Sequence, residues 1–163
     1  MGADIFGWVE TRETGSEWWD SAIRIHDIVY RQYGMFASLF GVRNGGNGVT
    51  EVGRFRAIAP ARGAPHGASQ YYTEELEGYG GGVGETWILW GELAAIDWDE
   101  EGELYIGDKP PHFVYAQPGS DRRRERRRDC LNGGWATLFK LMAELAEQFG
   151  AENVRLSVWF DQW

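Results

Sequence analysis

A chain of 163 residues with 43% apolar side chains has the size and hydrophobic content of one ordinary domain. Its 25 acidic and 16 basic side chains give a formal charge of -9, which argues against a general nucleic-acid coat and against adhesion to an anionic membrane. No apolar run approaches the length of a membrane span, and the single cysteine, Cys130, excludes an internal disulfide and a thiolate-cluster metal site.

Residues 4–12 read as a strand, with Ile5, Gly7 and Val9 on one face and Asp4, Phe6, Trp8 and Glu10 on the other. Glu13 to Ser16 is a turn, and Trp18 to Ile25 is the returning hairpin strand. Tyr33 to Gly41 carries apolar residues at helical spacing and stops at Gly41. A Gly/Asn-rich loop over 44–48 follows, then an irregular stretch over 57–70 and a glycine-rich connection over 78–84. Trp87 to Ile96 fits a short helix, with a strand as the alternative, and Asp97 to Glu103 is acidic and turn-like. Leu104–Ile106 and His112–Ala116 read as short strands, and 118–129 as a charged loop. Gly134 to Phe149 is the clearest amphipathic helix, closed by Gly150. Val154 to Asp161 alternates cleanly and is expected to dock beside the first strand. The fold expected is α+β. It is a single domain with a mostly antiparallel sheet that includes both terminal strands, covered by two or three helices.

Charge is segregated along the chain. Residues 1–62 are balanced, residues 63–108 hold eleven acids and no Lys or Arg, and residues 109–163 sum to +2. The basic excess is concentrated in Arg122, Arg123, Arg124, Arg126, Arg127 and Arg128. Such a run can bind phosphate, and it is the one segment where direct nucleic-acid contact is conceivable. The plainer reading is a solvated arm that neutralises the chain's own acidic segment. In the acidic part, Glu74, Glu75, Glu77, Asp99, Glu100, Glu101 and Glu103 are the candidates for a negative partner-binding surface.

Phosphate-loop, zincin and serine-hydrolase motifs are all absent, and His26, His66 and His112 have no metal-ligand spacing. No cofactor is expected. The polar residues that stand out are Arg43 and Asn44 before one glycine-rich loop, and Arg62 and Ser69 in and after a second. Arg155 lies in the last strand. Guanidinium groups beside free backbone N–H groups suit an anion, so these five form the candidate ligand-binding set. Asp4 and Asp161 sit at strand ends expected to be neighbours, with Arg155 able to pair with either; the plain alternative is an ion-pair network that locks the sheet. Of nine tryptophans, Trp18, Trp19, Trp159 and Trp163 cannot all face inward, which leaves aromatics for an interface or a stacking pocket.

Four motifs in order carry a family resemblance: Met1-Gly2-Ala3-Asp4-Ile5; Tyr33 through Phe36 and Leu39 to Gly41-Val42-Arg43-Asn44; Arg62-Gly63-Ala64-Pro65 with Ser69; and Val154-Arg155 through Trp159-Phe160-Asp161. Together they resemble uncharacterised proteins of phages, prophages and some bacteria that begin Met-Gly-Cys-Asp-Ile-His, contain an Arg-Gly-x-Pro loop and end near Phe-Asp-Asn. Ala3 and Phe6 stand where that family has its cysteine and histidine, and Gly82-Val83-Gly84-Glu85-Thr86 replaces a His-rich stretch. The residues best able to bind a metal or move a proton are therefore the ones this chain lacks.

The expectation is a non-catalytic binding protein of a phage or mobile element, acting in the host cytoplasm. It would antagonise a host defence system by occupying a defence protein or by sequestering a small anionic ligand. One alternative is a hydrolase of a phosphorylated small molecule, with Asp4 or Asp161 as base. Another is an assembly protein that oligomerises through exposed aromatics, with a homodimer as its simplest form.

Overall fold

Alternation of apolar and polar residues sets the two terminal strands, and the computed structural model, which describes residues 2–43, 55–101 and 126–161, pairs them. β1 (Ile5–Thr11) runs antiparallel to β4 (Val154–Phe160), with Ile5 opposite Phe160, Glu10 opposite Arg155 and Thr11 opposite Val154. β2 (Asp20–Arg24) returns along the free side of β1, and β3 (Val83–Leu89) flanks β4. All pairings are antiparallel and the order is β2-β1-β4-β3, so the chain's two ends form the middle of the sheet.

One face of this sheet carries the main core. Ile5 and Val9 of β1 join Val154, Leu156, Val158 and Phe160 of β4 there. α1 (Tyr33–Phe40) and α4 (Trp135–Phe149) cover them. α1 is apolar nearly all round and is buried from Gly34 to Phe40, as a helix inside a core must be. Phe36 and Phe40 meet the Phe160 ring edge-on at 5.4 and 5.8 Å. Burying each such ring stabilises the fold by about 2 kcal/mol. Gly41 ends α1 at φ 73°, a left-handed geometry that a side chain resists. α4 buries Trp135, Leu138, Phe139 and Met142 and leaves Lys140, Glu144 and Glu147 in water.

The opposite face is covered by α2 (Gln70–Gly78), which the sequence pattern did not announce. Of its apolar side chains only Tyr72, with Leu76 partly, turns inward, too short a stripe to register as periodicity. Tyr72 meets Trp159 edge-on at 5.0 Å, and Phe6 stacks on the same indole at 5.9 Å. With layers on both sides, β4 is buried at every position.

Two sequence expectations need correction. Trp87–Ile96 is not one helix: β3 extends to Leu89, and only Trp90–Ala94 coils, as the short α3. The switch comes where the Glu92 carboxylate accepts the Leu89 N–H at 3.0 Å, capping α3 as β4 pairing ends. The 78–84 glycines are also more than a connection, since β3 begins at Val83. A Cβ on Gly82 would lie 2.2 Å from the Trp159 ring, so absence of a side chain admits the indole. Trp19 and Trp159 are buried whereas Trp18 is 73% exposed. The expected strands 104–106 and 112–116, the 44–48 loop, most of 118–129, Trp163 and His112 lie outside the described residues. Among the described residues, three helices of eight or more residues pack on the sheet, and no helix is long and apolar enough to cross a membrane.

Candidate functional site

One carboxylate in the sheet, which the alternation pattern alone does not single out, is fully buried. Glu10 shares the β1 face of Phe6 and Trp8, is 0% exposed, and lies directly across from Arg155. Its Oε1 accepts from Arg155 Nε at 2.8 Å and from Ser157 Oγ at 2.6 Å. Its Oε2 accepts the Ser69 backbone N–H at 2.6 Å, just where α2 starts. The Arg155 guanidinium lies 4.0 Å from the Trp19 ring centre and donates through Nη1 to the His66 carbonyl at 2.9 Å. Burial pulls the Arg155 pKa down, and the Glu10 charge opposes that. Above the pair, burial and the neighbouring Glu85 carboxylate both push the Tyr72 hydroxyl pKa up. Tyr72 donates to Glu85 Oε2 at 3.1 Å. Ser69 is itself buried and exchanges a 2.7 Å hydroxyl contact with Ser21. Two of the five anticipated ligand-binding residues, Ser69 and Arg155, thus converge, but on a carboxylate of the chain itself.

The other anticipated cations are spent elsewhere. Arg62 clamps Glu92 with both Nη groups, at 2.9 and 2.7 Å. It also donates to the Trp87 and Ile58 carbonyls and lies over the Trp87 ring at 4.9 Å. Arg43 has φ 58° and lies 5.9 Å from the Tyr33 ring centre. Asn44 falls outside the described residues. Asp4 and Asp161 are neighbours as the strand pairing requires. The Asp4 N–H reaches Asp161 Oδ1 at 2.8 Å, and the Asp161 N–H reaches the Asp4 carbonyl at 3.2 Å. Arg155 pairs with neither aspartate: the Asp4 carboxylate is gripped by Arg31, Nε at 2.7 Å and Nη2 at 2.6 Å.

These two Arg clamps predict an acid-sensitive increment of stability. Arg31 holds Asp4 below its ordinary 3.8, and Arg62 holds Glu92 below its ordinary 4.5. A carboxylate with a depressed folded pKa contributes stability above its unfolded value and loses it as pH falls through the folded one. The urea midpoint is therefore expected to be insensitive to these groups from pH 7 to about 5 and to drop below about 4.5. Both pairs are partly exposed, so each contributes at most about 1 kcal/mol. Arg31→Gln with Arg62→Gln should flatten that drop, read as urea midpoints at pH 7 and pH 3.

The acidic stretch is less bare than its sequence suggests. Asp99 pairs with Arg128 at 2.7 Å and Arg126 at 3.7 Å, Glu100 with Arg127 at 2.9 Å, and Glu101 with Arg126 at 3.9 Å. The expectation of an unneutralised acidic surface is corrected at Asp99, Glu100 and Glu101: the end of the arginine run folds back on them, because opposite charges brought this close attract strongly. Arg127 is not solvated either, being 1% exposed. Glu75 faces inward to Arg24, 2.5 Å away, and to the Trp8 indole N–H, 2.7 Å away. Glu103 lies outside the described residues.

What stays outward is a face of α2. Gln70, Tyr71, Glu74 and Glu77 fall within one side of the helix and are exposed. Tyr71 is 57% exposed while its ring stacks on Trp8 at 5.5 Å, which fixes the ring without hiding it. Glu74 is held by Gln70 at 2.6 Å, and neither Glu74 nor Glu77 has a cation partner among the described residues. Among the described residues no cluster of three His, Cys, Asp or Glu side chains could hold a metal ion. No family model, no curated protein and no solved structure matches this chain.

Proposed function

We propose that the protein is a binding protein that docks on a basic protein surface through the outer face of α2, with no chemistry of its own. The observation that carries this reading is the contrast within the acidic segment. Asp99, Glu100, Glu101, Glu75 and Glu92 are paired inside the chain, whereas Glu74 and Glu77 share one helix face with an exposed, immobilised Tyr71. An aromatic anchor on one face with unneutralised charge of one sign supports docking on a surface of the opposite sign: the ring supplies contact area, and the carboxylates supply steering and register. The resemblance to phage and prophage proteins supplies the setting. On that reading the partner is a host defence protein in the cytoplasm, and its basic nucleic-acid-binding groove is the surface occupied.

The test is inhibition of defence in cells that express the protein, followed by calorimetry with the defence protein that it inhibits. Glu74→Lys/Glu77→Lys places like charges against the partner, at a cost of several kcal/mol. Affinity should fall about hundredfold or more, inhibition should vanish, and the thermal midpoint should hold because both side chains are exposed. Undiminished inhibition by the doubly reversed protein, or turnover of a substrate by the wild type, would overturn the reading.

A further inference from the structure

A second surface, on the opposite layer from α2, has the chemistry of a small-molecule site. Between α3 and α4 runs an open groove of about 290 Å³, lined by Trp90, Leu93, Trp98, Leu131 and Phe139, with alanines at positions 94, 136 and 143. Among the described residues, its only charged lining residue is Lys140. Trp98 and Phe139 meet at 5.6 Å and form one wall.

The alanines make the groove. Ala136, Ala143 and Lys140 recur at helical spacing on α4, so two small residues leave room along the helix and the lysine stands between them. Larger apolar residues at 136 and 143 would close this space. Lys140 also differs from most of the described cations. Seven arginines, at 24, 31, 62, 126, 127, 128 and 155, are ion-paired within the chain. Lys140 is exposed and has no carboxylate partner among the described residues. On a chain of net charge -9, an unneutralised ammonium beside two indoles and a phenyl ring is the local exception.

We propose that this groove binds a small amphiphilic carboxylate, with its apolar body against Trp90, Trp98 and Phe139 and its anionic head at Lys140. The volume is at the lower end for ligand sites, and the pattern of apolar walls with one placed polar group is the usual one. Charge complementarity selects an anion over a neutral apolar molecule, and the groove's small volume selects a small molecule over a protein segment. This proposal is independent of the α2 face.

Calorimetric titration of the full chain with decanoate, below its micelle concentration, tests it. One equivalent should bind, and decanol should bind more weakly. Lys140→Gln should weaken decanoate about fivefold, the worth of an exposed ion pair, and leave decanol unchanged. Ala143→Trp, which fills the groove from an already half-exposed position, should abolish both while the thermal midpoint is retained. The absence of saturable heat, or unaltered decanoate affinity in Lys140→Gln or in Ala143→Trp, would overturn the proposal. So would a wild-type dimer in sedimentation that Ala143→Trp dissociates, since the groove would then be an interface between copies of the chain.

Discussion

Glu10→Ala is expected to lower the unfolding free energy by about 4 kcal/mol, a large part of the roughly 5–15 kcal/mol typical of a domain. The substitution leaves the Arg155 guanidinium buried without its counter-charge. It also strips an acceptor from Ser157 Oγ and from the Ser69 N–H. All three groups stay out of water, so the loss is the desolvation cost of an unpaired charge and two donors, not merely the net strength of three bonds. Chemical denaturation monitored by circular dichroism checks the magnitude. A companion variant separates architecture from function. Replacing both partners, as Glu10→Leu with Arg155→Met, removes the buried charges together and should recover most of the stability, because well-packed apolar residues substitute for a buried pair at little cost. If the double variant is as unstable as Glu10→Ala, the buried pair does more than hold the sheet together. The α2 face should remain functional in the double variant, since Tyr71, Glu74 and Glu77 point the other way.

Arg127→Ala should cost about 3 kcal/mol. Arg127 was legible in the sequence only as one member of a basic run, yet its fork is the junction of three segments. Nη1 donates to the Ser38 carbonyl at 2.6 Å and to Ser38 Oγ at 2.9 Å, Nη2 to the Arg56 carbonyl at 2.6 Å, and Nε to Glu100 at 2.9 Å. Its guanidinium carbon is 5.2 Å from the Phe55 ring centre. Removing it orphans the buried Ser38 carbonyl and hydroxyl, at about 1–3 kcal/mol for each group left unpaired. Arg127→Lys should recover little, since a single ammonium cannot span acceptors arranged for a planar fork. Arg126→Ala and Arg128→Ala, whose side chains are half exposed, should each cost under about 1 kcal/mol by the same denaturation measurement. A flat response across all three arginines would mean that the run is solvated after all.

Elements with long, regular patterns were legible before any coordinates. The alternation of 154–161 and the amphipathic stripe of 135–149 each commit a backbone period, and a period determines which side chains share a face. The turn at 13–16 and the Gly41 stop were equally plain. α2 and the β3-to-α3 switch were not, because each depends on a partner: α2 turns only two apolar side chains, Tyr72 and Leu76, inward, and the strand ends where pairing with β4 ends.

The candidate site divides the same way. Composition alone determined that eleven acids in 63–108 had no cation among them and that a basic run lay downstream. It could not show that Arg126, Arg127 and Arg128 return to Asp99, Glu100 and Glu101, so that Glu74 and Glu77 are the ones, among the described members of the expected partner-binding set, left without a cation. Likewise the alternation put Glu10 on a face with Phe6 and Trp8, but its pairing with Arg155 follows from the register of strands 145 residues apart. Periodicity and charge are properties of neighbours along the chain, and one sequence carries them in full. Which charge meets which is a property of distance in space, where attraction falls off within a few ångströms of contact and solvent, and only the folded chain decides those distances.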